Sequence, residues 1–243
     1  MTADIGGTPR PQAPAPSDIG AYQTIPAPIT PTQTPAAVTG LAALWDFADG
    51  QGTATADSSG NGNTGTLNNV SWVHNTRICS GCVRLNGSSS FISVPESPSL
   101  EGTQQMTLSM WVNSSAPLTT DPRLIAKKYS WDVKLNGAAG YPQFSAGGQY
   151  FMLSTAVRQH AWHHIAFTFS NGTVGGYLDG QPVAASANTF AAGGTLPLQM
   201  YGLNIGTDSD HVNFYNGILD DVRIYGGALT DAQISALYSS TKH

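Results

Sequence analysis

The stretch that decides the fold reads His160-Ala161-Trp162-His163-His164-Ile165-Ala166-Phe167-Thr168-Phe169. Between Ile165 and Phe169, large apolar residues alternate with small or polar ones, and this period of two indicates a β-strand with two distinguishable faces. A turn at residues 170–173, a strand at residues 174–178 and a further turn at Asp179-Gly180 follow. The stretch therefore predicts a meander of long antiparallel strands.

Composition supports an all-β fold independently of that stretch. The chain has 243 residues, of which 27 are Gly, 15 are Pro and only 10% are charged, so few segments sustain a helical periodicity. The net charge of −5, without a Lys/Arg stripe, argues against a nucleic-acid partner. No apolar run approaches the ~20 residues that a membrane-spanning helix needs. We therefore expect a β-sandwich with no membrane span.

Residues 1–39 differ from the rest of the chain and predict a proline-rich linker or the tail of a preceding domain. A chain rich in Pro, Ala, Thr and Gln favours extended conformations and cannot bury much apolar surface. Within this segment, Asp18-Ile19-Gly20-Ala21-Tyr22-Gln23 resembles a sequence that often ends parallel β-helix domains of secreted bacterial proteins. Residues 40–243 are predicted to form one domain, because about 200 residues are enough to bury a single core.

The chain resembles the laminin-G-like, concanavalin A-like jelly-roll family. The resemblance rests on Trp162-His163-His164 followed by Tyr177-x-Asp179-Gly180. Further matches in the expected order are an opening strand at residues 44–47, a glycine-rich loop at 57–65, a pair of strands at 83–94, a strand at 106–112 and a closing strand at 217–225. It implies a two-sheet antiparallel sandwich in a secreted or cell-surface protein. From the residues themselves, Thr230-Asp231-Ala232-Gln233 predicts a capping box and thus one short C-terminal helix.

A structural calcium site is predicted at the loop that Asp57 opens. Glycines at positions 60, 62 and 65 allow backbone carbonyls to turn inward, and Asn61 and Asn63 add neutral oxygen ligands, which Ca²⁺ prefers. Opening and closing strands of a jelly roll normally lie side by side, which would bring Asp220 close. The family resemblance implies the same ion, with Asp57 and Asp220 as ligands. The alternative is an ordinary Asx-turn at Asp57 and a solvated Asp220.

Cys79 and Cys82 are predicted to form a disulfide bond. Cys79-Ser80-Gly81-Cys82 lies between strand-like segments and lacks the βαβ context of a redox pair and the four cysteines of a typical zinc site. A ring this short stiffens a turn rather than holding the fold together. Two free thiols are the alternative, whereas a disulfide indicates an oxidising compartment.

The sequence favours no catalytic site, although enzymatic activity stays open. The same jelly roll carries glycoside hydrolases, which need two carboxylates about 5–5.5 Å apart, or farther in inverting enzymes. The two glutamates, Glu96 and Glu101, both lie in one loop, and the neighbours Asp220 and Asp221 would point to opposite faces of a regular strand. We therefore assign no catalytic residue.

Ligand binding is the function that the sequence favours. Sugar rings stack on exposed aromatic rings, and such candidates fall in segments where the family varies. They are Tyr129, Trp131, Tyr141, His211 and Tyr215. Trp131 has core packing as its alternative. The predicted function is a non-catalytic carbohydrate-binding module of a larger secreted or cell-surface protein, with glycan or polysaccharide as partner. A protein-binding adhesion or structural module is the alternative, and a polysaccharide-active enzyme the third choice.

Overall fold

The computed structural model describes residues 40–74, 79, 81–102, 104–115 and 121–241. In chain order the strands are β1 (Leu41–Trp45), β2 (Ala54–Thr55), β3 (Gly65–Asn68), β4 (Ser71–Trp72), β5 (Val83–Asn86), β6 (Phe91–Val94), β7 (Gln105–Ser114), β8 (Arg123–Lys127), β9 (Trp131–Asn136), β10 (Tyr141–Ala146), β11 (Gln149–Leu153), β12 (His163–Ser170), β13 (Thr173–Leu178), β14 (Gln181–Pro182), β15 (Ala185–Asn188), β16 (Leu203–Ile205) and β17 (Asn216–Tyr225). A 3-10 turn spans Pro98–Leu100, and the helix α1 spans Asp231–Thr241.

Within these residues the strands form two sheets. The eight-stranded sheet has the order β14-β13-β12-β7-β17-β5-β4, with β1 also paired to β17, and the nine-stranded sheet has the order β15-β11-β10-β9-β8-β16-β6-β3-β2. The strand pairs of both sheets are antiparallel, for example β12 with β7 and β9 with β10. The predicted jelly-roll sandwich with one short C-terminal helix is confirmed.

The stretch that decides the fold forms β12, and its two predicted turns are present. Asn171 and Gly172 both have positive φ, as do Asp179 and Gly180, which suits the two-residue hairpin turns between paired strands. The strand begins at His163, three residues later than the quoted stretch, because His160 has a φ of 57° and interrupts the extended chain.

The main core lies between the two sheets, and a smaller one lies beneath α1. Apolar rings from both sheets fill the main core, including Trp45, Phe144 and Phe167. The smaller core consists of Ala166, Tyr177, Tyr225, Leu229, Ile234 and Leu237. The helix begins with the predicted capping box, in which the Gln233 amide donates to the Thr230 hydroxyl and the Thr230 amide donates to the Gln233 side chain. The helix therefore covers the outer face of the eight-stranded sheet.

The opening and closing strands lie side by side, as predicted. Leu44 is opposite Arg223 and Trp45 is opposite Val222 in the β1–β17 pair. Between Asp220 and Arg223 the pairing of β17 with β7 shifts register, and Asp221 has a φ of 51°. This bulge is a departure from the regular strand assumed from the sequence, because an extra residue bends the chain there.

Cys79 and Cys82 form a disulfide bond, as predicted, and both are buried. They pack with Ile218 of β17 in a small satellite cluster. The predicted proline-rich segment of residues 1–39, with its possible β-helix-end motif, lies outside the described residues.

Candidate ligand-binding cleft

The outer face of the nine-stranded sheet is polar at its centre. Along β9 and β10 the residues that point into the core alternate with residues that point outward. Ala126, Asp132 and Ser145 lie beside one another on the outward face, because Ala126 pairs with Asp132 and Asp132 pairs with Ser145. Gln143 lies on the same face, two residues before Ser145.

A cleft of about 580 Å³ opens at one end of this face. Its floor includes Asp132, Gln143 and Ser145, and its walls are the β8–β9 turn, the β10–β11 turn and the loop at residues 208–210. The size lies within the range of ~300–1,000 Å³ that is usual for ligand pockets. The cleft is therefore the candidate site that the described part of the chain offers for a ligand of several rings.

The floor of the cleft is held by a network of charged and amide side chains. The Arg123 Nε atom lies 3.4 Å from an oxygen of Asp132, and the Arg123 Nη1 atom donates to the Asp121 carbonyl at 2.8 Å. Burial raises the pKa of Asp132 above its usual value, against the opposing effect of Arg123. The Gln143 amide donates to the Ser145 hydroxyl at 2.9 Å. These contacts fix the polar groups of the floor in place before any ligand arrives.

Tyr129 is the aromatic ring that the cleft exposes most. It is 68% exposed and sits in the turn between β8 and β9 with a φ of 59°, a left-handed conformation that favours glycine or asparagine. Its ring contacts the ammonium group of Lys128 at 5.1 Å and meets the Tyr201 ring edge-on at 5.6 Å. Tyr129 thus has a backbone conformation that is unfavourable for tyrosine, and most of its ring is exposed rather than packed.

A second, smaller cleft of about 340 Å³ adjoins the first. The two share Lys128 and Ser209, and the smaller one extends along Tyr201 and Asn204 toward β6. Burial raises the pKa of Asp208, but amide donors from Val212, Asn213 and Asp210 outweigh it and hold that pKa below its usual value. The Asp208 carboxylate therefore shapes the loop that borders the first cleft.

The sequence candidates for ring stacking fall in three environments. Tyr129 lines the cleft, whereas His211 stacks on Phe91 at 4.3 Å beyond the smaller cleft. Tyr141 is half-buried on β10 opposite Asn136. Trp131 is 3% exposed and Tyr215 is 0% exposed. These last two rings are therefore not available for stacking, because they pack in the core between the sheets.

The Asp57 loop brings three of the four predicted calcium ligands together. The Asp57 carboxylate accepts hydrogen bonds from the amides of Leu44, Ser59 and Asn63, which lower its pKa against the raising effect of burial. The Asn63 side-chain nitrogen lies 2.9 Å from the Ala42 carbonyl and 3.0 Å from Asp57. The Asn61 side chain donates to the same carbonyl at 3.1 Å. Asp57 thus anchors the loop to β1, and its bond from the Ser59 amide forms the Asx-turn of the alternative interpretation.

Asp220, the fourth predicted ligand, lies on β17 at the bulge. It is 4% exposed, so it is not the solvated residue of the alternative interpretation. Burial, with the nearby charges of Asp221 and Asp46, raises the pKa of Asp220 to about 8. Its electrostatic surroundings thus differ from those of Asp57, which hydrogen bonds hold in the charged form. Within the described ranges, no group of three or more His, Cys, Asp or Glu side chains is arranged to hold a metal ion.

Two histidines of the stretch that decides the fold, His163 and His164, make side-chain hydrogen bonds within the domain. His163 donates from Nδ1 to Asp179 at 2.9 Å and accepts the Arg158 amide at Nε2. His164 lies 2.8 Å from the Ser109 hydroxyl, a distance that also suits a nucleophile and its base. Both residues of that pair are 1% exposed, so no substrate reaches them.

Comparison with known proteins identifies the family. The family model of the concanavalin A-like lectin/glucanases superfamily matches residues 86–235. The chain belongs to this superfamily. The matched residues run from the end of β5 into α1 and include the whole of the cleft. The resemblance to laminin-G-like jelly rolls is thereby confirmed.

Solved structures of this superfamily's fold include both sugar complexes and toxin domains. Domain 4 of AbnA, a GH43 extracellular arabinanase from Geobacillus stearothermophilus, in complex with arabinotriose, is 22% identical with a TM-score of 0.62, over 82% of this chain and 98% of that one. Trypanosoma rangeli sialidase in complex with sialic acid is 19% identical with a TM-score of 0.59, over 84% and 33%. The binding domain of Paraclostridial Mosquitocidal Protein 1 is 18% identical with a TM-score of 0.65, over 83% and 52%. At these identities the likeness shows the fold alone.

A curated relative is the Adhesion G-protein coupled receptor V1 of Danio rerio, which is 28% identical over 81 residues. The match covers 33% of this chain and 1% of the receptor. In the described part of this chain, no helix is long and apolar enough to cross a membrane.

Proposed function

We propose that this chain is a non-catalytic carbohydrate-binding module of a larger secreted or cell-surface protein, and that glycan binds in the cleft on the outer face of the nine-stranded sheet. The observation that carries the proposal is Tyr129. An exposed aromatic ring in a left-handed turn costs stability, and a ring beside a polar cleft is the arrangement that binds sugars by stacking and hydrogen bonding.

The similar structures support a glycan as the ligand. The AbnA domain was solved with arabinotriose, and this chain matches nearly the whole of it. The sialidase was solved with sialic acid. The disulfide bond between Cys79 and Cys82 supports an oxidising compartment, in keeping with a secreted or cell-surface location.

The chemistry of the cleft supports binding without catalysis. Asp132 and Asp208 both line it and have pKa values shifted in opposite directions, which is a pattern also found in glycosidases. In this cleft, however, the Asp208 oxygens accept hydrogen bonds from the Val212 backbone amide and the Asn213 side chain. Asp132 forms an ion pair with Arg123. Both carboxylates thus have structural partners. Release of reducing sugar from a polysaccharide by the purified chain would contradict a non-catalytic role.

The test of the proposed function is the variant Tyr129→Asn. Asparagine tolerates the left-handed conformation that costs tyrosine about 1–2 kcal/mol, so we expect an unchanged or higher melting temperature. Loss of the ring should weaken retention on the bound polysaccharide by about 1–3 kcal/mol, the range for bases stacked on aromatic side chains. Affinity electrophoresis in gels that contain a polysaccharide panel measures the retention.

Met200→Asn is the matched control for this test. Met200 is 76% exposed but lines neither cleft, so its replacement should leave retention unchanged. Equal retention of wild type and Tyr129→Asn on every polysaccharide that the wild type binds would contradict stacking on Tyr129.

A protein-binding adhesion module is the second candidate, and an exposed apolar surface favours it. Leu198, Met200 and Tyr201 are 59%, 76% and 46% exposed in the segment before β16. The similarity to an adhesion receptor also supports it. A protein partner lost in Met200→Asn but kept in Tyr129→Asn would favour this function, whereas the reverse pattern with polysaccharide favours the first.

We also propose that a structural calcium ion binds at the Asp57 loop. Three oxygen atoms, from Ala42, Asp57 and Ser99, surround the Asn63 side-chain nitrogen at 2.9–3.0 Å. Carboxylate, carbonyl and hydroxyl oxygens are ligands that Ca²⁺ accepts, so the residues fit the ion in type. Asp57, with Asn61 and Asn63, would hold it from the loop, and Asp220 would hold it from β17. Its role would be to tie the loop to β1 and β17.

The calcium proposal predicts a melting temperature that depends on the ion. An ion bound only by the folded state stabilises it by about 2.7 kcal/mol at a concentration 100-fold above its Kd. Chelator should therefore lower the melting temperature of the wild type, and Asp57→Ala should abolish this response.

Asp121→Asn is the control for calcium, because Asp121 is also a hydrogen-bonded loop carboxylate but holds the start of β8. It should keep the calcium response. If Asp220→Ala keeps the calcium response, Asp220 is not a ligand of the ion. If the wild type has the same melting temperature with calcium and with chelator, the proposed calcium site is contradicted.

A further inference from the structure

Every cation of the first cleft already faces a carboxylate. Among the described residues that line it, the cationic side chains are Arg123, Lys127 and Lys128. They pair with Asp132 at 3.4 Å, Glu101 at 2.6 Å and Asp210 at 3.7 Å. Strong recognition of an anionic ligand uses charge-assisted hydrogen bonds from cations that are free to turn toward it. The cleft offers few cations that are free to turn toward a ligand.

Two of these cations are fixed by further contacts. The Lys127 side chain is 1% exposed, and its ammonium group also donates to the Tyr201 carbonyl at 2.6 Å. Arg123 donates to the Asp121 carbonyl besides its pair with Asp132. Moving either one toward a ligand would leave a mostly buried carboxylate without its partner, which is costly. Lys128, with 30% of its side chain exposed, is the cation that a ligand can reach.

Negative charge also lines the cleft. Asp132, Asp208 and Asp210 are all lining residues, and the chain as a whole has a net charge of −5. A carboxylate or sulfate on the ligand would approach these three groups at close range, and like charges repel. Sugar hydroxyls, in contrast, carry no charge and exchange hydrogen bonds with amide and hydroxyl groups such as Gln143 and Ser145.

We infer that the glycan bound in this cleft is electrically neutral, built of unsubstituted sugars rather than uronic, sialic or sulfated ones. This inference rests on the proposed function and narrows it to one class of ligand. The charge pairs of the cleft set the specificity, because they satisfy each cation that lines it and leave none of them unpaired for an anionic group of the ligand.

The test compares two panels of probes on the intact chain. The neutral panel contains arabinan, xylan, galactan and β-glucan, and the acidic panel contains polygalacturonate, alginate and sialylated oligosaccharides. We expect retention on at least one neutral probe and on no acidic probe at pH 7. Raising NaCl from about 0.05 M to about 1 M should change the neutral affinity less than about twofold, because salt screens charge contacts and not stacking.

A charge-releasing variant sharpens this test. Asp210→Asn removes the carboxylate beside Lys128, so we expect binding to acidic probes to appear or to rise about fivefold or more at low salt. The double variant Asp210→Asn, Lys128→Gln should lose that gain. Asp210 has 77% of its side chain exposed, so its replacement should not unfold the domain.

The outcomes distinguish a failure of glycan binding in the cleft from a failure of the inference that the glycan is neutral. Salt-sensitive wild-type binding to an acidic probe, weakened by Tyr129→Asn, would overturn neutrality and leave a glycan-binding cleft standing. Failure of both panels would overturn the proposed function and neutrality with it.

Discussion

Tyr129 and Trp131 lie two positions apart and occupy opposite environments. Tyr129 is 68% exposed, whereas Trp131 is 3% exposed and packs between the sheets. Trp131→Ala should therefore lower the free energy of unfolding by about 3–5 kcal/mol, the cost of removing a buried aromatic ring. Urea unfolding followed by circular dichroism measures this loss. A loss below about 1 kcal/mol would place Trp131 outside the core.

The buried state of Trp131 was predictable in part from its neighbours. Trp131, Val133 and Leu135 are all apolar at a spacing of two, and all three are buried, which is the pattern of a core-facing strand. The left-handed backbone of Tyr129 was not predictable, because tyrosine is not a residue type that favours this conformation. The cleft residues Asp132, Gln143 and Ser145 were missed, although Asp132 alternates with that apolar series.

His164 gives the chain a pH-dependent contribution to stability. Burial lowers the pKa of His164 from 6.5 in the unfolded chain to about 4 in the folded chain. The charge of Asp179 raises this pKa, and the charge of Arg223 lowers it further. Between these pH values the unfolded chain binds a proton that the folded chain does not. Stability from this residue is thus fully present above pH 6.5 and is lost as the pH falls toward 4, by about 3 kcal/mol in all.

The variant His164→Gln isolates this contribution from the other titrating groups. Asp220 acts in the opposite direction, since its pKa is raised to about 8, and it is present in both proteins. We expect the difference in unfolding free energy between wild type and His164→Gln to change with pH between 6.5 and 4 and to stay level above 7. A difference that is constant over the whole range would contradict a depressed pKa for His164.

At the scale of elements, the capping box of α1 offers the sharpest test. Thr230→Ala removes the hydroxyl that accepts the Gln233 amide, and loss of an N-cap costs about 0.5–2 kcal/mol. We expect a lower melting temperature, measured by calorimetry. Ser239→Ala, on an exposed position of the same helix, is the control and should change stability by less than about 0.5 kcal/mol. Equal effects of the two changes would contradict the cap.

The elements that could be predicted are those with local signals. The turns at Asn171-Gly172 and Asp179-Gly180 and the box at Thr230 are specified by a few adjacent residues, and the structure has all of them. The bulge at Asp221 could not be predicted, because it depends on how β17 pairs with β7 over more than 100 residues of separation. It also changes the geometry that a regular strand would give Asp220 and Asp221.

At the scale of the whole molecule, the cleft depends on three segments that are distant in sequence. The turns at residues 128–130 and 147–148 and the loop at residues 208–210 meet only because β8 to β11 and β16 lie in one sheet. The all-β sandwich follows from composition and alternation, but the meeting of these segments follows from sheet order. Sequence reasoning therefore reached the fold and the aromatic residue Tyr129, and not the charge pairs around it.

The placement of the chain ends has a practical consequence. The described chain enters at Gly40, whose carbonyl accepts the Gly226 amide at 2.8 Å, and leaves through α1, so both ends belong to the layer that carries the helix. The cleft opens on the other layer. A fusion partner or an immobilisation tag joined at residue 40 or after residue 241 should therefore leave the cleft accessible. The cleft could then bind a solid polymer while the fused protein lies on the opposite side of the domain.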